Sequence, residues 1–166
     1  MTKSGRVLGL TAATCLAMSS CADAPKALPG HLAPCPSSPN CVSSEALPTD
    51  VMHYIEPLSA PPGHTMPNDA LVRLRAIVVA MPRCQVAGGG PSSLRLTFSS
   101  RLFGFTDDVE LREDAEQHVI QVRSASRHGW GDMGVNRDRV EAIRVSWLAR
   151  FDEGTSTPSA TDGPSR

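Results

Sequence analysis

The chain lacks a strong charge of either sign. Its 16 basic and 17 acidic residues leave a net charge of −1, so nothing in the bulk electrostatics supports a nucleic-acid partner. Lysine is nearly absent: 14 of the 16 basic residues are arginine. That skew reads either as anion recognition or, more simply, as a compositional bias of the genome. No apolar run is long enough for a comfortable membrane span. The five histidines are scattered, with no HxH or HExxH spacing, and no second cysteine pair completes a four-ligand zinc site, so no metal and no cofactor is expected. No GxSxG elbow or SxxK pairs a serine with an activating base. The glycines at 88–90 lead into a strand rather than a helix, so they do not form a phosphate loop.

What is present begins with an address. Lys3 and Arg6 form a basic start, Val7 to Met18 an apolar stretch of signal-peptide length, and Ser19-Ser20-Cys21 follow. Small residues before a cysteine resemble the bacterial lipobox, which implies lipidation at Cys21 and anchoring by two or three acyl chains. Ala22 stands where an inner-membrane retention signal would place Asp, which favours the outer membrane and a domain facing the periplasm. Losing Lys3 and Arg6 with the signal peptide takes the net charge from −1 to −3.

Export changes the reading of the remaining cysteines. Cys35 and Cys41 enclose five residues, two of them proline, and pair readily in an oxidising compartment. Such a short closed loop contributes about 2 kcal/mol. Zinc and thiol-redox readings are weaker, since the spacing is neither CxxC nor matched elsewhere. Cys84 is left as a small apolar strand residue.

The expected organisation is a signal peptide over 1–20, a Pro/Ala-rich spacer over 21–40, a single α+β domain over 41–151 and a disordered tail over 152–166. Within the domain, Leu71, Leu74, Ile77, Val78 and Met81 fall at helical spacing over 68–81, with Asn68 or Thr65 to cap and Pro82 to stop the helix. Strands are expected over 83–87, 94–98, 103–111 and 118–127, with a turn at the glycines of 88–90 and Pro91. A loop at 114–117 sets Leu111 opposite Ile120, Val109 opposite Val122, Asp108 opposite Arg123 and Asp107 opposite Ser124. Val140, Ile143, Trp147, Leu148 and Phe151 stripe a helix over 136–151. The order α-β-β-β-β-α implies a two-layer sandwich, a four-stranded antiparallel sheet with two helices on one face, preceded by the disulfide-stapled spacer.

Three stretches, PCPSSPNCVSS at 34–44, FGFTDDVEL at 103–111 and RSASRHGWGDMGVNRDRVEAIR at 123–144, together resemble the family known as domain of unknown function 1499. It occurs in exported or membrane-associated bacterial proteins and in plastids. The resemblance covers nearly the whole folded unit and implies no reaction, ligand or catalytic residue.

Residues 123–139 carry the chemistry worth weighing. Four arginines (Arg123, Arg127, Arg137, Arg139) face only Asp132 and Asp138, beside Ser124, Ser126 and Asn136. Gly129, Gly131 and Gly134 let a backbone approach closely, and a following helix points its first amides at the loop. Forked guanidiniums with a helix N-terminus suit a carboxylate or phosphate, and Asp107 or Asp108 could orient an arginine. The expected role is therefore a non-enzymatic module that binds an anionic small molecule, an envelope polymer or an envelope protein partner through the 123–139 face. A structural alternative is a buried Asp–Arg–Asn network tying the glycine-rich loop to the sheet. An enzymatic alternative is a hydrolase using His128 with Asp107 or Asp132.

Overall fold

The computed structural model describes residues 27–100 and 104–153. The signal peptide over 1–20, Cys21, the tail beyond residue 153 and the expected strand start at Phe103 lie outside the described residues. Five strands and two helices follow in the order β1 (Cys41–Ser43), α1 (Ala70–Val79), β2 (Cys84–Gly90), β3 (Ser93–Ser99), β4 (Thr106–Asp114), β5 (Val119–Ser126) and α2 (Val135–Glu153). They form one antiparallel sheet, β1-β5-β4-β3-β2. The α+β class is as expected, but the sheet has five strands and the element order is β-α-β-β-β-β-α. The added strand is β1, three buried residues paired with the far side of β5.

The core follows from two periodicities. Alternate residues of the strands (Leu94, Leu96, Phe98, Val109, Leu111, Ile120, Val122 and Val42) meet Leu71, Leu74, Ile77 and Val78 of α1 and Val140, Ile143 and Trp147 of α2 in one cluster. Both helices thus cover the same sheet face. Burying each such side chain is worth about 1.5–3 kcal/mol. Trp147 is fully buried and its indole N–H donates to the Ser59 carbonyl at 2.9 Å, so its one polar atom is satisfied. The connection from β1 to α1 is packed rather than loose. Leu58 exchanges backbone bonds with Ile120, and Arg144 donates to the Glu56 and Pro57 carbonyls.

Three local expectations are corrected. The β4–β5 register is displaced by two residues. Leu111 faces Val122, Val109 faces Ser124, Asp108 faces Ala125, Asp107 faces Ser126, and Glu113 faces Ile120. The turn spans 115–118, with His118 at φ 53° and Asp114 Oδ1 accepting from Gln117 N at 3.1 Å. A two-residue slip preserves which face each side chain takes, so the apolar pattern could not distinguish the two registers. The glycines 88–90 continue β2 rather than turn. A bulge separates Val86 from Gly88, and the hairpin turn is Pro91-Ser92. Gly89 (φ 144°) must be glycine, because a Cβ there would drive into the Ser93 carbonyl oxygen. Finally, Asp69 occupies the α1 N-cap position without a side-chain cap, its carboxylate being spent on Arg73 Nε at 2.7 Å.

The Cys35–Cys41 disulfide is present, with Cα atoms 5.6 Å apart. It fixes a strap that runs along the sheet's other face. Leu32 is buried, its N–H donates to Glu45 Oε2 at 3.0 Å, and His31 Nδ1 lies 3.2 Å from the same oxygen. The part of the expected spacer from His31 to Asn40 is therefore laid against the domain.

Candidate functional site

Strand alternation divides the arginine-rich segment between two faces of the sheet. Ser124 and Ser126 of β5 point with the core residues, while Arg123 points the other way. On the helix side, the first turn of α2 builds a closed polar network around Asn136, which is fully buried. Asn136 Nδ2 lies within donating distance of Asn40 O (3.0 Å), Ser126 Oγ (2.9 Å) and Asp132 Oδ2 (2.7 Å). Its Oδ1 accepts from Ser124 Oγ and Arg139 Nη1, both at 2.6 Å. Arg139 also donates to Ser124 Oγ, pairs with the buried Asp107 and stacks its guanidinium 5.0 Å from the Phe98 ring centre. Burying an ion pair carries a desolvation cost, which the bonds from Arg139 to Ser124 and Asn136 help offset.

Asp132 closes the anion site that the helix start would otherwise offer. Its Oδ1 accepts from Gly134 N at 2.9 Å and its Oδ2 from Asn136 N at 2.8 Å. The protein's own carboxylate thus sits where a ligand anion would favour the helix dipole. Arg137 acts as a strut, donating to the Met52 carbonyl at 3.1 Å. His128 is exposed in the loop, and Trp130 beside it is 73% exposed. Asp107 is engaged by Arg139 and Asp132 by the helix.

The opposite face is different. Arg127 grips Asp108 with two bonds, Nε to Oδ2 at 2.9 Å and Nη2 to Oδ1 at 2.8 Å. That hydrogen bonding, with the adjacent charge, holds its guanidinium protonated more firmly than usual. Arg123 Nη1 donates to Glu110 Oε1 at 2.9 Å. The expected Asp108–Arg123 pair is thus replaced by Asp108–Arg127 and Glu110–Arg123, as the observed register requires. Directly across β4, Arg95 of β3 faces Glu110, yet no hydrogen bond or ion pair holds its guanidinium among the described residues. A Cβ at Gly88 would lie 3.1 Å from Arg95 Nη2, so the glycine that follows the bulge provides the space that guanidinium uses. Among the described residues, one buried side-chain polar atom lacks any partner: Arg123 Nε. A cavity of about 400 Å³ is lined by Arg95, Arg123, Arg127, Asp108, Glu110 and Ala87, among others.

The sequence reading identified Arg123, Arg127 and Asp108 but missed Arg95 and Glu110. The alternation Leu94-Arg95-Leu96 and Val109-Glu110-Leu111 carried that signal, since both charges must share the polar face. A second cavity of about 420 Å³ lies under the strap, between Leu32, Cys35, Glu45 and His53. His53 Nδ1 is 2.8 Å from Asp50 Oδ2, and that bond is the main cause holding the Asp50 carboxyl below its ordinary range.

A family model described as "Protein of unknown function (DUF1499)" matches residues 31–146. No curated protein and no solved structure matches the chain.

Proposed function

The chain belongs to the DUF1499 family, and from that starting point we propose that it is a lipid-anchored cell-envelope protein. Its domain is a non-enzymatic binding module for an anionic small molecule, held on the outer sheet face. One observation carries the binding reading: the exposed guanidinium of Arg95 has no partner among the described residues, and it lines one cavity with Arg123 and Arg127. Three guanidiniums there face two carboxylates, so a bound carboxylate would complete the charge balance. Forked guanidiniums suit carboxylates. The other candidates from the sequence, Ser124, Ser126, Asp132, Asn136, Arg139 and Asp107, serve the fold in this reading. A hydrolase centred on His128 is disfavoured, because each carboxylate it would use is already bonded. Export, lipidation of Cys21 and an outer-membrane, periplasm-facing location rest on the N-terminal pattern.

Two experiments test the proposal. Labelled palmitate should enter the full chain and be lost in Cys21→Ser. Titration of the full chain with acetate at low ionic strength should give saturable binding that Arg95→Ala abolishes and Arg137→Ala leaves intact. Absence of binding, or equal loss in both variants, would refute the outer-face site.

A further inference from the structure

The outer-face cavity offers an unsatisfied acceptor as well as an unpaired guanidinium. Glu110 uses only Oε1 on Arg123, and no hydrogen bond reaches its Oε2 among the described residues. Asp108, two residues along the same face of β4, has both oxygens held by Arg127. Across one row of the sheet the charges run Arg95, Glu110, Arg123, with neighbouring strands about 4.8 Å apart. A ligand resting over that row therefore meets a spare cation and a spare carboxylate oxygen side by side.

We infer that the cavity takes the head group of a free α-amino acid, its carboxylate on Arg95 and its ammonium on Glu110 Oε2. This deepens the anion-binding reading and rests on it. A dianion such as phosphate would leave Glu110 Oε2 without a donor and bring its second negative charge against that oxygen. A sugar acid would lack the aromatic platform that stacks against a pyranose, since no aromatic side chain among the described residues lines the cavity. A zwitterion offers a partner to each spare group, its carboxylate to Arg95 and its ammonium to Glu110 Oε2. The volume, about 400 Å³, lies in the range of small-ligand sites, and the lining is polar and open. Discrimination among amino-acid side chains should therefore be slight.

The test compares a zwitterion with its two halves on the full chain, by calorimetric titration at low ionic strength. Alanine should bind at least tenfold more tightly than acetate, and methylammonium should not bind. Glu110→Gln should weaken alanine at least tenfold while tightening acetate, because it removes a repelling charge. Arg95→Ala should abolish both. If acetate binds as tightly as alanine and Glu110→Gln harms neither, the amino-acid assignment is overturned while the anion site stands. If neither alanine nor acetate binds, both readings fall. The wild-type comparison alone decides the matter if a variant fails to fold.

Discussion

Replacing Asn136 with alanine should be among the most damaging single changes in the domain, and the structure gives the size. The substitution leaves the fully buried Ser124 hydroxyl without its acceptor, worth about 2 kcal/mol within the usual 1–3 for an orphaned group. Arg139 loses one of its neutral partners, about 1 kcal/mol more. The missing amide leaves a small void where nothing relaxes freely, adding about 1 kcal/mol. Asp132 and the Asn40 carbonyl are spared, because each keeps a backbone donor, Asn136 N and Ser126 N respectively. The total is about 4 kcal/mol, a large part of the 5–15 kcal/mol that holds a domain folded. It should appear as a fall in melting temperature of about 15 °C in circular dichroism. Ser126→Ala, which removes one bond at a half-buried site, should cost about 1 kcal/mol. A fall of under about 4 °C in Asn136→Ala would refute the reasoning, showing that water replaces the amide and that the network is not closed.

Other outcomes follow from features of the same kind. Cys35→Ser should remove the disulfide at a cost of about 2 kcal/mol, leaving helical ellipticity at 222 nm unchanged; loss of the helix signal at room temperature would place the staple within the core. Gly89→Ala should destabilise by about 3 kcal/mol, through backbone collision and positive φ together. Gly104→Ala, at φ 65° with open space around its added methyl, should cost only about 1–2 kcal/mol; chemical denaturation separates the two. For Asp114, burial raises the carboxyl's pKa, but bonds from Gln117 N, Arg112 and Gln121 outweigh it and hold the carboxyl below its ordinary range. A depressed carboxyl stabilises above its unfolded value, about 3.9, and loses that contribution as pH falls below it. The Asp114→Asn variant should therefore differ from the parent near neutrality and converge with it in acid; a constant difference down to pH 2 would refute the assignment.

Much of this architecture was legible in the sequence, for identifiable reasons. The stripe of Val140, Ile143 and Trp147 can face only one way on a helix, and the alternation around Leu94–Phe98 allows only a half-buried strand. What was lost lay where a pattern is degenerate or too short. Period-two alternation is unchanged by a slip of two, so the hairpin register depended on the Asp114–Gln117 bond rather than on hydrophobicity. Cys41–Ser43 is too short to show alternation, and its strand character comes from β5 supplying the partner. Three successive glycines signal a turn locally, but β3 draws them into a ladder. At the site, the Asp–Arg–Asn network was visible as one alternative, because its members are close in sequence. Arg95 and Glu110 were not, because they meet Arg123 only through pairing across strands.

The two ends of the sheet carry a consequence for how this domain can recognise a polypeptide. On the free side of β1, Ser43 already donates to the His53 carbonyl and accepts from Ile55 N, so the segment 53–55 occupies that margin. On the free side of β2, the bulge after Val86 breaks the regular spacing of amides, glycines at φ 149° and 144° twist the backbone out of line, and Pro91 ends the strand without an N–H. Neither margin offers the unbroken row of donors and acceptors that strand addition needs. Copies of the domain are thereby kept from zipping together through their backbones, and any peptide it holds must be read by side chains on its faces.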